Sequence, residues 1–206
     1  MLQPHWKRGT QCFVKTHDGW EVRETSTLFR NAHLEVLKEE VVPPGEHRIR
    51  RWTVVRRKQA VVIAPVTDEG KFLLIHQARI PVRKFLWEFP AGQIDGNLNP
   101  DMALIRETAL RELTEETGYE LAAGGELVYL GHYYSSQGYS DETPHLFLAR
   151  PVRATGLGHQ PDDSETIVEC REFTFSELSS MIADSVIQDA NTLATFARLS
   201  ARKLLP

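Results

Sequence analysis

The segment Arg111-Glu112-Leu113-Thr114-Glu115-Glu116-Thr117-Gly118-Tyr119 constrains the fold more than any other stretch of the chain. It reads as the last turns of a helix that stops at Gly118, a natural C′ glycine. Glu112, Glu115 and Glu116 stand at i, i+3 and i+4, the spacing that makes side chains neighbours on a helix surface. At about 100° per residue, Met102, Ile105, Ala109 and Leu113 form an apolar stripe. Glu116 projects nearly in line with that stripe, Glu112 sits at its edge, and only Glu115 points well away. A glutamate that merely solvates a helix belongs opposite the stripe. These acids are therefore aimed at the protein body, at the negative end of the helix dipole. Crowded carboxylates repel one another there unless a cation offsets them. Hard divalent ions such as Mg²⁺ take such oxygens, usually together with substrate phosphates.

The rest of the chain reads as layers around this helix. Asn99 is a good N-cap, Pro100 suits the first helical position and Asp101 suits the positive helix start, which predicts a helix from about 100 to 117. Residues 10–58 read as short strands with turns at Asp18-Gly19 and Pro43-Pro44-Gly45, the candidates being Gln11–Thr16, Trp20–Glu24 and His33–Val41. Arg48–Arg57 alternates and is rich in basic residues. Gln59–Val66 is a largely apolar run, as expected of a strand covered on both faces. It forms a hairpin with Lys71–His76 across Asp68-Glu69-Gly70. Glu126–Leu130, His145–Ala149 and Thr166–Phe175 read as further strands, and Ser176 to about Leu204 as mostly helical. The pattern predicts an α/β (α+β) layered domain over 59–206, behind a small β-rich N-terminal domain over 1–58.

Composition narrows the function classes. The chain has 206 residues, 41% of them hydrophobic and 25% charged, and a net charge of −4, so a general nucleic-acid binder is not expected. Its two cysteines, Cys12 and Cys170, form no CxxC pair, which predicts a reducing compartment, the cytoplasm. The eight histidines are scattered without zinc-ligand spacing. No signal core or membrane-length apolar run is visible, so no membrane partner is expected.

Arg111–Tyr119 resembles the second half of the Nudix box, Arg-Glu-(apolar)-x-Glu-Glu-x-Gly-(apolar). Several flanking segments resemble the ADP-ribose pyrophosphatase branch of that family. They are Gln77-Ala78-Arg79, Trp87-Glu88-Phe89-Pro90-Ala91-Gly92, Ile94-Asp95-Gly96, Gln137-Gly138-Tyr139-Ser140-Asp141-Glu142 and Glu165-Thr166-Ile167. The likeness runs from about Trp52 to about Leu178. One departure stands out. The full box has Gly, five residues, Glu, seven residues, then Arg-Glu, and counting back from Arg111 places Ala103 and Asn97 at the Glu and Gly positions. Gly92 lies five residues too far upstream, which implies an insertion around Gly96–Asp101 that lengthens the helix or the loop leading into it. Glu107, four residues before Arg111, is placed to pair with it in place of the missing Glu. Glu115 flanks Arg111 from the other side.

The resemblance implies a Nudix-type α/β/α sandwich with a mixed sheet, plus a small N-terminal antiparallel sheet. It implies metal-dependent hydrolysis of the pyrophosphate of ADP-ribose or a related nucleoside diphosphate sugar, giving AMP (or another NMP) and a sugar phosphate. Mg²⁺ is the expected ion, with Mn²⁺ as a substitute. Glu112 and Glu116 are the implied principal ligands, with Glu115 contributing and the Ala91 carbonyl as backbone ligand; Gly92, Arg111 and Gly118 are structural. Glu165 is the implied general base, with Glu142 and Glu169 competing. Arg79 is expected at a phosphate or the terminal ribose, and Trp52, Arg56 and Arg57 at the base and phosphates. The resemblance also implies a homodimer through the N-terminal sheet. Two rivals stand beside this reading: a Nudix enzyme for a GDP- or UDP-sugar, and a non-catalytic Nudix module that senses a nucleotide.

Overall fold

The structure, a computed structural model, describes residues 14–15, 18–96, 99–159 and 166–205. The chain divides into two units. One takes in the described residues up to Arg57 together with Ser136–Glu142; the other takes in those of Lys58–Ser135 and Thr143–Pro206. The expected division at 58/59 thus falls one residue later than the observed one, and it does not include the returning segment Ser136–Glu142.

The first unit is an antiparallel sheet of β1 (Val14–Lys15), β2 (Glu21–Arg30), β3 (Leu34–Val42) and β4 (Arg50–Arg57), in chain order. β2 runs well past the expected Glu24 because its polar half pairs with β3, from Thr25↔Glu39 to Arg30↔Glu35. Asn31 turns the chain between them, its Oδ1 accepting from the amides of His33 and Leu34, each at 2.9 Å. The open edge of β4 takes up the returning segment. The Val55 amide donates to Tyr139 O at 2.7 Å, the Trp52 indole to Gly138 O at 2.9 Å, and the Arg57 amide to Asp141 Oδ1 at 2.9 Å. The expected strand Gln11–Thr16 lies mostly outside the described residues.

The second unit holds β5 (Ala60–Thr67), β6 (Phe72–Arg79), β7 (Lys84–Glu88), β8 (Ala91–Gln93), β9 (Tyr119–His132), β10 (Pro144–Ala154) and β11 (Ile167–Phe173). The sheet order is β11-β6-β5-β10-β9, with β7 added on β6 and β8 on β5. Only β5 and β10 run parallel among these pairs. Alternation along the central strands builds two cores. Val61, Ile63, Leu73, Phe147 and Ala149 face helix α1 (Met102–Thr117), meeting its Ile105, Ala109 and Leu113. Val62, Ala64, Phe72, Leu74, Leu146 and Leu148 face the other way, onto Leu178 of helix α2 (Phe175–Ala183) and Leu199 of helix α3 (Ala190–Ala201). The result is an α/β/α sandwich. Among the described residues no helix is long and apolar enough to cross a membrane.

Two boundaries differ from expectation for physical reasons. The N-cap of α1 is Asp101, not Asn99, and its Oδ1 accepts the Leu104 amide at 2.9 Å. Its negative charge also meets the positive helix end, and the helix starts two residues later than predicted. β9 is far longer than Glu126–Leu130, since Leu121 and Glu120 pair with Val152 and Arg153 despite the glycines between. Gly118 caps α1 as expected, at φ 73°, with its amide donating to Thr114 O at 2.9 Å.

A methyl group at Gly118 would lie 2.5 Å from the Gly158 carbonyl carbon, in addition to the left-handed backbone. Gly118→Ala should therefore cost at least about 1–2 kcal/mol. The expected observation is a lower urea midpoint at unchanged m-value.

Candidate active site

Helix α1 delivers its last-turn carboxylates to the backbone between β7 and β8. Glu116 is fully buried and Glu112 nearly so, as the phase of the apolar stripe predicts. Glu116 Oε2 accepts the Ala91 amide at 2.7 Å. Glu112 lies against Gly92, where an added Cβ would stand 2.0 Å from its carboxylate. Only glycine lets that carboxylate approach the strand. Gly92 therefore acts by what it lacks, not by unusual backbone angles.

Register sets the direction of the Ala91 carbonyl. The Ile63 amide donates to Pro90 O and the Ile94 amide to Gln59 O, so with Val62 opposite Ala91 that pair is the non-bonded kind. The Ala91 amide and carbonyl both face away from β5, and the amide already points to Glu116. Two buried carboxylates and a backbone oxygen on this side make a hard-oxygen donor set. They suit a divalent cation whose remaining positions go to water and phosphate oxygens. Among the described residues no group of three or more His, Cys, Asp or Glu side chains is placed to hold a metal ion.

Arg111 braces the pair of acids. Its guanidinium bonds both Glu112 and Glu115. Partial burial pulls its proton affinity down, but the two carboxylates outweigh this and hold it cationic above its usual range. The expected Glu107–Arg111 pair does not form. Glu115 takes that role by leaning back over Arg111, which leaves Glu115 partly exposed and turned from the donor set.

Arg79, at the end of β6, grips Glu88 of β7 with Nε 3.0 Å from each carboxylate oxygen, and Nη2 completes the fork. Glu88 is 1% exposed. Burial raises its pKa and Arg79 opposes the rise without cancelling it. The charge of Glu116 also reaches Arg79. Glu88 is a functional candidate to which the sequence pattern assigns no role; its partner stands nine residues earlier on the neighbouring strand, and the β6–β7 pairing brings the two together.

The remaining candidates fall elsewhere. Trp52, Arg56 and Arg57 belong to the first unit. Trp52 is 56% exposed. Arg56 faces Asp141 at 3.5 Å and Arg57 pairs with Glu142 at 2.9 Å, so Glu142 already has a cation. Glu169 lies on β11, exposed, 4.0 Å from Arg171. Glu165 lies outside the described residues. Cys170 carries no chemistry: burial first, then the charges of Glu116, Glu172 and Glu169, push its thiol up to about 12.

Gly92→Ala tests the fit. The variant should remain folded but displace Glu112, weakening Mn²⁺ binding by about ten- to a hundredfold. Titration of the free-ion EPR signal reads this directly, and unchanged affinity would contradict the account of Gly92.

The chain is similar to known proteins over most of its length. The NUDIX domain family matches residues 56–196. An ADP-ribose pyrophosphatase of Bacillus subtilis (strain 168) is 30% identical over 178 residues, 86% of this chain and 91% of that protein. A methanol dehydrogenase activator of Bacillus methanolicus is 30% identical over 186 residues, 88% of this chain and 93% of that protein. The crystal structure of an ADP compounds hydrolase superposes with a TM-score of 0.71 at 17% identity, over 91% of this chain and 96% of that one. At that identity the likeness concerns the fold. The domain match, the relatives and the fold lead to one statement: this chain belongs to the Nudix family.

Proposed function

We propose that the protein hydrolyses the pyrophosphate of ADP-ribose or a closely related nucleoside diphosphate sugar, releasing AMP and a sugar phosphate. The observation that carries this reading is the buried pair Glu112 and Glu116, seated against the Ala91–Gly92 backbone. The B. subtilis relative, an ADP-ribose pyrophosphatase similar over most of its length, supports the substrate class. Nudix hydrolases generally use divalent metals. Here Glu112, Glu116 and the Ala91 carbonyl would hold the ion, taken to be Mg²⁺ with Mn²⁺ as a substitute, and Glu115 would contribute through Arg111. Bound there, the ion would polarise the pyrophosphate and acidify the attacking water.

The chain's own residues supply the rest. Arg79 keeps Nη1 available while Glu88 fixes its plane, so the guanidinium presents a fork to a phosphate or the terminal ribose. Glu165 takes the proton of the attacking water. The Glu142 carboxylate is taken up by an ion pair with Arg57 at 2.9 Å, which favours Glu165 for this role. Trp52 offers an exposed ring for a purine, and Arg56 and Arg57 at the end of the same strand are offered to phosphates. The exposed Leu28, Phe29 and Trp52 of the N-terminal sheet support a homodimer through that sheet. The two cysteines fit a cytoplasmic protein.

Hydrolysis of a panel of ADP-ribose, GDP-mannose, UDP-glucose and NADH, with Mg²⁺ and with EDTA, tests the reading. AMP and ribose 5-phosphate should appear fastest from ADP-ribose and cease in EDTA. Faster turnover of another sugar nucleotide would overturn the substrate, and binding without turnover would favour the sensor. Glu165→Gln should lower kcat by about 10²–10⁴-fold with KM little changed; unchanged kcat would remove Glu165 as base. Light scattering should give twice the mass of the chain. A monomer would end the dimer proposal.

A further inference from the structure

We infer that Thr192, in the first turn of α3, positions the Ala91 carbonyl beside Glu112 and Glu116 and so sets divalent-cation affinity without touching the ion. The inference rests on the reading of Ala91, Glu112 and Glu116 as metal donors.

β7 pairs with β6 whereas β8 pairs with β5, so the chain changes partner across Phe89–Pro90. Pro90 has no amide hydrogen. The Phe89 amide falls outside both ladders, and Phe89 is fully buried. A buried amide without an acceptor is destabilising. Its acceptor is Thr192 Oγ1, 2.8 Å away, on a side chain with 0% exposure. Thr192 Oγ1 itself donates to Asp189 Oδ2 at 2.8 Å, which turns its lone pairs toward Phe89. Asp189 also caps α3, accepting the Thr192 amide at 2.7 Å. Capping requires the Asp189 carboxylate and the Thr192 backbone, not the Thr192 hydroxyl. The hydroxyl therefore serves Phe89.

Three successive residues are then pinned by three elements. Phe89 N–H is held by α3, Pro90 O accepts from Ile63 of β5 at 2.9 Å, and Ala91 N–H is held by Glu116 of α1 at 2.7 Å. The β5 register sets the direction of the Ala91 carbonyl, and these pins hold in place the segment that enters that register. Without Thr192 the segment keeps two of them, and the carbonyl samples directions that miss the carboxylates. A residue near the C-terminus thereby acts on the site through the backbone, as outer partners of metal ligands do.

The experiment is Mn²⁺ binding to the full-length protein by EPR, for wild type, Thr192→Val, Thr192→Ser and Glu116→Gln, with thermal melts to establish that each is folded at the assay temperature. Thr192→Val should bind Mn²⁺ about tenfold more weakly. It should raise the metal concentration for half-maximal turnover by the same factor and leave KM for the nucleotide unchanged. Thr192→Ser, which keeps the hydroxyl, should restore binding, and Glu116→Gln should abolish it. If valine prevents folding, Thr192→Ala decides. Wild-type Mn²⁺ affinity in the valine or alanine variant, with Glu116→Gln inactive in binding, overturns the role of Thr192 alone. A serine variant as weak as the valine variant overturns it too, because packing of the methyl group would then be the cause. Wild-type affinity in Glu116→Gln overturns the metal-donor reading itself.

Discussion

Everything in the candidate site depends on how closely the end of α1 lies against the β8 backbone. Glu116 accepts the Ala91 amide and Glu112 occupies the space that a Gly92 side chain would fill. Burying two carboxylates so near each other is costly. The cost is offset by the Ala91 amide, by Arg111, and by an apolar helix face that would pack there in any case. Ile105, Ala109 and Leu113 bring the helix to the sheet. The acids ride in on the same face, so the fold and the site are products of one helical phase.

That phase is what made the site legible in the sequence. A period of about 3.6 residues is local, and it places Glu112 and Glu116 inward and Glu115 outward without any knowledge of the sheet. The Gly118 cap and the β5–β6 hairpin are likewise short-range and fall where expected. What the sequence did not disclose is of two kinds, close competition between neighbouring candidates and long-range pairing. Asp101 replaced Asn99 as the cap because a charged acceptor competed successfully two residues on. Arg111 chose Glu115 over Glu107 because side-chain lean, not spacing alone, selects the partner. The Glu88–Arg79 grip and the Thr192–Phe89 bond join segments whose proximity only the sheet order reveals. The length of β9 follows from its pairing with β10, and its Ala-Ala-Gly-Gly run hides that in any propensity reading.

The buried acids are treated in two ways. Glu88 faces Arg79 in a fork that uses both carboxylate oxygens, yet burial still raises its pKa. Such a pair adds little net stability by itself; its effect is to fix a guanidinium whose remaining donors point elsewhere. Glu112 meets a partly exposed Arg111, and Glu116 meets a backbone amide. A protein that needed these acids only for packing would be better served by leucine at both positions.

The division of labour between rigid and looped segments follows from tolerance. Metal donors must be held within fractions of an ångström, a demand that a helix end and a strand pinned from three sides can meet. A proton acceptor for water works through a looser geometry. The ion pairs around Arg56 and Arg57 are largely solvent-facing and contribute little to stability. Substitutions there are consequently cheap for the fold, whereas substitutions at Gly92 or Glu116 disturb a buried contact between helix and strand.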